Sequence, residues 1–477
     1  MKSLVTYGPP GTGKTRSLIS QVQSHLETAP GNMALFCSHT KAAAFTAVER
    51  WGKKSGRLDI STIHSHCFRA LGLSMAQTVD DAKLKFFVGQ FGMDTEEGSD
   101  ANKYIEIIDF ATNLGISVSD AYSRSERPGT MAHFLAFQRS YVNYKKQFGY
   151  VDFTDMLALY PDRVKKPAGH TLLAVDEAQD LTPLHWKVIE HYMELNPKAE
   201  VIIAGDDDQT VYGHTGASAQ GMDEFATRHN AEVKILGQSY RVPRSVHSLA
   251  LQITGRIKRR VDKEYLPRQH DGQVQEWGEF QWGHSAGRAD RDTLILYSDK
   301  FVRKDVVEPA LLDRGVPYTA SSGFPSPLQT IAGQAMRTAH NPGASREELQ
   351  SIRRGLSPMG QSIFDSIGPE AVCEKLRKFD FKLLRKIHWT HEDYYRRINW
   401  RDSEPRVRIS TIHGAKGAEA DEVHLVTAQS PSALAQSVTD PDARHRLFYV
   451  GVTRAREKLF VYGGDNAYEM PKARMDR

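Results

Sequence analysis

The stretch LVTYGPPGTGKTRSLISQVQSHL, residues 4–26, decides the fold of the first part of this chain. In it a short apolar run, a loop rich in glycine and proline, and a helical pattern follow one another without a break. The loop reads Gly8-x-x-x-x-Gly13-Lys14-Thr15. Its glycines allow backbone N–H groups to approach a phosphate at a helix N-terminus. A plain Gly/Pro-rich turn before a helix is the alternative, but the strand-loop-helix context favours a phosphate-binding α/β domain.

The residue types in this loop predict how the phosphates are held. Lys14 is expected to reach the outer phosphates, and Thr15 is expected to hold Mg²⁺ through its hydroxyl. The whole loop is expected to contact the nucleotide, through Gly8, Pro9, Pro10, Gly11, Thr12, Gly13, Lys14 and Thr15.

A second motif, HTLLAVDEAQD at residues 170–180, supplies the carboxylates that such a site needs. A buried apolar run ends in Asp176, expected beside the Mg²⁺ ion, and Glu177, expected to polarise the attacking water. The alternative is that both acids merely begin a helix, where the helix dipole favours negative charge.

The composition points to a soluble intracellular protein of several domains. The 477 residues exceed what one hydrophobic core supports, and the net charge is only +4. Three widely spaced cysteines do not predict a disulfide framework. No apolar run approaches the ~20 residues of a membrane span, and the phosphate loop follows Met1 too soon for a signal peptide. A cytoplasmic location is therefore expected.

Between the two motifs, residues 79–150 show apolar positions at helical spacing, such as Ile105, Ile108, Phe110 and Leu114. This pattern predicts an all-helical insertion, after which GYVDFTDML (149–157) returns the chain to the α/β core.

Nine motifs follow one another along nearly the whole chain: GPPGTGKT, HTKAAA, STIHSH, VDFTDML, AVDEAQD, AGDDDQTVYG, QSYRVP, STIHGAKGAEADEV and LFYVGVTRAREKL. In kind and order they resemble those of the superfamily 1 DNA helicases of the UvrD/Rep type. The resemblance implies two RecA-like parallel-sheet P-loop NTPase domains, each with a mainly helical inserted subdomain. The strand-like runs TLILYS, VRISTI, EVHLVT and KLFVYG independently fit a second parallel sheet.

On this basis the domain boundaries are expected as follows. Residues 1–78 and 151–235 form the first RecA-like domain, and 79–150 form its helical insertion. Residues 236–335 and 403–477 form the second, with a small insertion at 336–402. Within that insertion, the basic and aromatic stretch 375–401 is expected to be helical, with Leu376, Phe379, Leu383, Leu384 and Ile387 on the core side. Its basic face either grips duplex phosphate or is simply solvated.

The resemblance assigns further roles around ATP. Gln209 is expected to sense the γ-phosphate, which Arg241 and Arg454 are expected to reach from the second domain. Tyr240 and Arg16 are expected to stack on the adenine, and Glu419 to lie near the ribose. With Lys14, Asp176 and Glu177, the residues Gln209, Arg241 and Arg454 form the expected catalytic set.

The three consecutive aspartates at 206–208 raise a separate question, because adjacent like charges repel. They could be metal ligands, helix caps or part of a sensing device. The resemblance implies a loop that couples nucleotide state to the grip on DNA. A second metal site is not expected, because Thr15 and Asp176 account for the single Mg²⁺ ion.

The resemblance also implies DNA contacts from Ser38, Lys41, Thr62, His64, His214, Thr411 and His413. Three of the positions in these loops depart from the family pattern. His214-Thr215 stands where Trp-Arg is usual, and Ser38 replaces an aromatic residue. Histidine offers less stacking area than tryptophan and gains charge near pH 6.5. Single-strand affinity is therefore expected to rise as the pH falls from 8 to 6.

The function predicted from all these features is an ATP-dependent DNA helicase and translocase. It would act on single-stranded DNA and on single-strand/duplex junctions, moving 3′ to 5′, in replication, repair or recombination. An ATP-gated remodelling protein that displaces partners from DNA without unwinding is the alternative. A non-catalytic scaffold conflicts with the presence of Lys14, Glu177, Gln209, Arg241 and Arg454 together.

Overall fold

The computed structural model describes residues 2–39, 47–48, 51, 56–96, 98–282, 292–321, 325–385, 387–464 and 466–471. The chain forms two compact units. The first consists of Met1–Tyr240 with Ile257–Leu266, and the second of Arg241–Arg256 with Pro267–Arg477. Each unit contains a six-stranded sheet in which the paired strands are parallel. The predicted α/β class with two parallel-sheet domains is confirmed.

The first sheet has the strand order β3-β2-β4-β5-β1-β6. Its strands are β1 (Ser3–Tyr7), β2 (Ala34–Ser38), β3 (Leu58–Thr62), β4 (Leu172–Asp176), β5 (Glu200–Gly205) and β6 (Glu232–Ile235). Alternate residues of β2 enter different cores: Leu35 and Cys37 belong to one cluster, and Ala34 and Phe36 to another. The central strands are therefore apolar on both faces, as expected for a parallel sheet that helices cover on both sides.

The helices of the first unit are α1 (Lys14–Thr28), α2 (Ile63–Ala70), α3 (Asp81–Gly89), α4 (Asp100–Leu114), α5 (Val118–Arg124), α6 (Met131–Phe148), α7 (Phe153–Arg163), α8 (Pro183–Leu195) and α9 (Gly221–Arg228). Helices α3 to α6 pack around an apolar core of their own. This helical part leaves and rejoins the sheet domain at one point, because Thr78 bridges to Val151 and Val79 N–H donates to the Val151 carbonyl.

The second sheet has the order β7-β12-β11-β8-β10-β9. Its strands are β7 (Gln273–Trp277), β8 (Thr293–Tyr297), β9 (Tyr318–Ala320), β10 (Val407–Thr411), β11 (Ala420–Val426) and β12 (Ala455–Tyr462). The four strand-like runs noted in the sequence are β8, β10, β11 and β12. The two edge strands lacked that signal, because β7 is polar and largely exposed and β9 is only three residues long.

The helices of the second unit are α10 (Arg244–Thr254), α11 (Lys300–Val302), α12 (Glu308–Asp313), α13 (Ile331–His340), α14 (Arg346–Ser351), α15 (Pro358–Ile367), α16 (Pro369–Arg377), α17 (Trp389–Arg397), α18 (Pro431–Thr439) and α19 (Pro441–Val452). One apolar core joins Ile295 and Ile409 of the sheet to Val372 and Tyr394 of the helices. Among the described residues, no helix is long and apolar enough to cross a membrane.

The stretch 375–401 differs from its prediction, because it does not form one helix. Helix α16 ends at Arg377, Phe379 has a φ of +60°, and α17 begins only at Trp389. Tertiary pairing overrides the helical pattern here. Leu384 bridges to Leu356, and Arg385 N–H donates to the Gly355 carbonyl over 2.9 Å. The apolar residues of this stretch do pack in the core of the unit, as expected: Leu376, Phe379, Leu383, Leu384 and Ile387.

The chain passes between the two units more than once. After Arg241–Arg256, which belong to the second unit, Ile257–Leu266 belong again to the first. We call Ile257–Leu266 the return segment. Its backbone pairs with the end of the first unit, since Leu266 N–H donates to the Gly237 carbonyl and Ser239 N–H donates to the Leu266 carbonyl.

Candidate active site

The phosphate loop follows β1 directly and ends at the first residue of α1. Gly11 and Gly13 adopt φ angles of +78° and +82°, in the left-handed region that side chains disfavour. A Cβ atom at Gly8 would lie 2.5 Å from Thr12 Oγ1 and 2.6 Å from Lys14 Cγ, so any other residue there would have to displace these two side chains. Lys14 Nζ donates to the Gly8 carbonyl over 2.5 Å. The loop therefore wraps around the lysine that sequence analysis assigned to the phosphates.

Residues far along the chain hold the carbonyls of this loop. Ser239 Oγ donates to the Pro10 carbonyl over 2.9 Å, and Tyr265 OH donates to the same carbonyl over 3.2 Å. Tyr240 N–H donates to the Gly11 carbonyl over 2.9 Å. The loop is thus fastened to the end of the first unit and to the return segment.

Thr15 and Asp176 meet at the N-terminus of α1. Thr15 Oγ1 donates to Asp176 Oδ2 over 2.6 Å, and Asp176 is buried. Burial, with the neighbouring charge of Glu177, raises the pKa of Asp176 to about 6. A hydroxyl and a carboxylate beside a phosphate loop are the oxygen ligands that Mg²⁺ prefers. The residues present therefore fit a magnesium site.

Glu177 follows β4 with a left-handed backbone, at a φ of +54°. Such a conformation is costly for a residue with a side chain, and it occurs often at functional sites. Glu177 Oε2 accepts a hydrogen bond from Gln179 Nε2 over 2.6 Å. Gln179 Oε1 in turn accepts from the Asp206 N–H over 3.0 Å.

Gln209 belongs to the same network, since its Nε2 donates to Asp206 Oδ2 over 2.7 Å. The residues expected to act as base and as γ-phosphate sensor are therefore linked through Gln179 and Asp206. Gln179 was not among the residues predicted from the sequence, although it lies two residues after Glu177 in the motif HTLLAVDEAQD.

The three aspartates at 206–208 surround a lysine of the return segment. Lys263 Nζ lies 3.3 Å from Asp206 Oδ1, 2.5 Å from Asp207 Oδ1 and 2.8 Å from Asp208 Oδ2. Arg260 adds a two-pronged contact to Asp208, with Nε 3.0 Å from Oδ1 and Nη2 2.7 Å from Oδ2. A fixed ammonium thus stands where the carboxylates could otherwise have gathered a metal ion.

In the second unit, the two arginines assigned to the γ-phosphate have different surroundings. Arg241 forms an ion pair with Glu419, which also lies 3.5 Å from Arg456 Nη1. Arg454 is only 1% exposed, and its Nε donates to the Val450 carbonyl over 2.9 Å. The Arg454 guanidinium also donates to the Ala418 carbonyl over 3.5 Å, so backbone carbonyls of its own unit help to fix its position in this conformation.

The residues assigned to adenine stacking present their side chains to solvent. Arg16 lies on the exposed face of α1, and Tyr240 is 74% exposed although its backbone is hydrogen-bonded to the phosphate loop. An exposed ring next to this loop is available to stack on a base.

The residues assigned to DNA in the first unit are unequally accessible. Ser38 is fully buried at the end of β2, and Thr62 is a buried N-cap that accepts from the Ser65 N–H over 3.1 Å. His64 is half-buried, and burial lowers its pKa to about 4. His214 is exposed. Lys41 lies outside the described residues.

His64 and His214 belong to a series of six neighbouring rings that was not predicted from the sequence. In order, the rings belong to Phe153, His64, His185, His39, Tyr212 and His214. Neighbouring centroids lie 5.1 to 5.9 Å apart. Five of the rings come after β2, β3, β4 or β5, at the carboxyl edge of the sheet, and the sixth, Phe153, begins α7 after the helical insertion. His39 was within a quoted motif, but no spacing rule would have placed His185 between His39 and His64.

The two DNA-assigned residues of the second unit lie at the end of β10. Thr411 Oγ1 accepts from the Gly414 N–H over 3.0 Å, which orders the turn that carries half-buried His413. Both residues therefore follow a strand at the carboxyl edge of the second sheet, like their counterparts in the first unit.

Comparisons with known proteins agree with this geometry. The model of the UvrD/REP helicase N-terminal domain matches residues 2–230, and that of the UvrD-like helicase C-terminal domain matches residues 384–463. ATP-dependent DNA helicase UvrD2 of Mycobacterium tuberculosis is 25% identical over 94% of this chain and 75% of its own length. Putative ATP-dependent DNA helicase YjcD of Bacillus subtilis is 23% identical over 68% of this chain and 47% of its own. DNA helicase II of Haemophilus influenzae is 26% identical over 43% of this chain and 30% of its own.

The two matches lie on the two sheet-containing units in the order found in the family. The first contains the phosphate loop, the Asp176–Glu177 pair and the loop that bears Gln209. With two parallel sheets and this motif order, the chain belongs to the UvrD/Rep family of superfamily 1 helicases.

Proposed function

We propose that the chain is an ATP-dependent DNA helicase that moves 3′ to 5′ along single-stranded DNA. The observation that carries the proposal is one hydrogen-bonded site in the first unit. There the phosphate loop meets Asp176 through Thr15, and Glu177 is linked to Gln209 through Gln179 and Asp206. Family membership and the names of the relatives, all DNA helicases, support the same reading.

In this proposal each side chain has a defined task. Lys14 neutralises the outer phosphates, and the Glu177 carboxylate orients and polarises the attacking water. Gln209 contacts the γ-phosphate and, through its hydrogen bond to Asp206, couples the presence of that phosphate to the loop of aspartates at 206–208. Thr15 and Asp176 would hold Mg²⁺, which supplies charge neutralisation to the phosphates when it is bound.

The roles of four further residues stay predictions of the family resemblance. Arg241 and Arg454 are proposed to stabilise charge on the transferred phosphoryl group, as a fixed guanidinium can. Glu419 is proposed to lie near the ribose, and Tyr240 with Arg16 to stack on the base. The exposure of Tyr240 supports the last assignment.

The DNA track is proposed to run along the carboxyl edge of the sheets. The accessible rings of the series, which are all its members except buried His185, are proposed to stack on bases, and base–aromatic stacking tolerates any sequence. Thr411 and His413 would contact the backbone without reading sequence. This arrangement favours single-stranded DNA as the substrate. Single-strand/duplex junctions are proposed as substrates from the family resemblance.

The test is ATP hydrolysis with and without single-stranded DNA, followed by strand displacement on 3′-tailed and 5′-tailed duplexes of equal length. We expect turnover to rise strongly with DNA and displacement to need the 3′ tail. Displacement from the 5′ tail alone would reverse the polarity. Stimulated turnover without displacement, together with removal of a bound protein from the strand, would favour the remodelling function instead. Absence of ATP turnover would refute both.

A further inference from the structure

The return segment brings two contacts to the nucleotide site from outside the motifs. Tyr265 OH donates to the Pro10 carbonyl of the phosphate loop, and Val261 N–H donates to Asp207 Oδ2 over 2.7 Å. Lys263 lies between these two anchors. The segment thus connects the phosphate loop to the aspartate loop that carries Gln209.

Lys263 is enclosed to an unusual degree for a lysine. Its side chain is 0% exposed and faces three carboxylates that are themselves buried. Burial opposes the charge on the ammonium, but the carboxylates outweigh it and raise the pKa of Lys263 above its ordinary value. The three carboxylates thus favour the charged ammonium over the neutral amine.

Asp206 contacts both this cation and the residues expected to act in hydrolysis. Its Oδ1 faces Lys263 Nζ at 3.3 Å, whereas its Oδ2 accepts from Gln209 Nε2 at 2.7 Å. Its backbone N–H donates to Gln179, which holds Glu177. Replacing a buried ion pair by apolar groups often costs a protein little stability, so stability alone does not explain the buried charges.

We propose that Lys263 is a positioning residue for ATP hydrolysis, whose ammonium fixes the Asp206 carboxylate and thereby the side-chain amide of Gln209. This inference rests on the proposed function. Without the cation, three adjacent carboxylates repel one another, and Asp206 no longer holds Gln209 in one orientation. The phosphate loop and Lys14 are untouched, so ATP still binds.

The test uses the full chain and a double substitution that removes one positive and one negative charge together. Lys263→Met alone removes the ammonium that faces all three buried acids and endangers folding. Lys263→Met is therefore combined with Asp207→Asn and compared with Asp207→Asn alone. Relative to Asp207→Asn alone, we expect the kcat of Lys263→Met/Asp207→Asn to fall by about tenfold or more. The KM for ATP and the affinity for a fluorescent ATP analogue should change by less than about threefold. Lys258→Met, an exposed lysine of the same segment, is the matched control and should behave like wild type.

A second comparison separates positioning from general damage. In a Gln209→Ala background, the same Lys263 change should alter kcat by less than about twofold, because the group through which it acts is already gone. A wild-type kcat in the Lys263→Met/Asp207→Asn protein would overturn the inference. So would a full additional loss in the Gln209→Ala background. Either result, obtained with a wild-type chain that hydrolyses ATP, leaves the proposed function standing. A wild-type chain without ATPase activity refutes the function itself.

Discussion

Thr15 Oγ1 donates to Asp176 Oδ2 over 2.6 Å, although 161 positions of sequence separate the two residues. Strand β4 lies two strands from β1 in the sheet, and both strands end at the same edge. The two motifs that sequence analysis linked by chemistry are therefore linked by a direct hydrogen bond. That bond makes the phosphate loop and the carboxylate strand one site, which contains both Lys14 and Glu177.

Lys14→Ala should abolish ATP turnover, because the ammonium that the loop encloses is the cation assigned to the outer phosphates. We expect a loss of at least ~100-fold in kcat, the scale seen when one preorganised charge-stabilising group is removed. Lys165→Ala, which changes an exposed lysine after α7, is the control and should keep wild-type turnover. Substantial hydrolysis by Lys14→Ala would show that the loop is not the catalytic phosphate site.

Glu177→Gln should bind ATP but hydrolyse it at least ~100-fold more slowly, since the amide cannot polarise water as a carboxylate does. Binding of a fluorescent ATP analogue and single-turnover hydrolysis measure the two effects separately. Glu194→Gln, a largely exposed change at the end of α8, is the matched control. Equal hydrolysis by Glu177→Gln and wild type would remove Glu177 from the role of base.

Arg241→Ala and Arg454→Ala should both lower turnover but should differ in stability. Arg241 forms a partly exposed ion pair, whose loss costs about 1 kcal/mol or less. Arg454 is buried and donates to backbone carbonyls that would lose their partner, at about 1–3 kcal/mol. Thermal unfolding, measured beside kcat, distinguishes them. Equal shifts in Tm would contradict the packing described for Arg454.

Asp109 predicts a pH dependence of stability. Burial, followed by the charge of Asp152, raises the pKa of Asp109 to about 7, even though Thr154 Oγ1 donates to it over 2.6 Å. A carboxyl whose pKa is higher in the folded than in the unfolded state binds its proton more tightly when folded. The contribution of this tighter proton binding to the free energy of unfolding is therefore fully present below pH ~4 and is lost as the pH rises towards 7.

Asp109→Asn should therefore be more stable than wild type at pH 8, by about 1–2 kcal/mol, because the amide stays neutral and can still accept from Thr154. Chemical denaturation at pH 5 and pH 8 measures the effect, and the gain should shrink at pH 5. Asp120→Asn, at the exposed start of α5, is the control. A gain that did not depend on pH would exclude titration of Asp109 as its cause.

The protonation of His214, which is assigned to the DNA track, predicts a pH dependence of single-strand affinity. Although the residue is exposed, desolvation of its ring lowers the pKa of His214 below 6.5. The structure thus moves the expected rise in single-strand affinity to a lower pH than the sequence suggested. Affinity should be nearly flat from pH 8 to 6.5 and should rise below that range.

His214→Ala should remove this rise and weaken DNA stimulation of the ATPase, while leaving basal turnover intact. His214→Trp should bind more tightly, since the larger ring stacks over more area, and the gain should be only part of the roughly 1–3 kcal/mol per base that a whole aromatic side chain contributes. Fluorescence anisotropy with a labelled oligothymidylate measures both. Identical binding by His214→Ala and wild type from pH 8 to 5 would exclude a DNA contact at this residue.

The parts of the site that sequence analysis could predict are those that follow strands. In a parallel sheet all carboxyl ends lie on one edge, so a motif such as Gly8–Thr15 or Asp176–Glu177 locates its residues once its strand is recognised. Lys263 had no such signal, because the return segment contains neither a strand nor a motif. Arg454 was recognised by its motif, but a motif does not determine whether a long side chain points outwards or into its own unit.

The return segment also constrains the order in which the first unit can become complete during synthesis. Residues 206–208 are made before Arg260 and Lys263, and Arg241–Arg256 of the other unit are made in between. A nascent or recombinant fragment that stops at residue 240 would have to bury three carboxylates without their cations, which proteins strongly disfavour. The compact first unit is therefore not a continuous piece of chain. An expression fragment of this unit has to extend through Leu266 to include its own counter-charges.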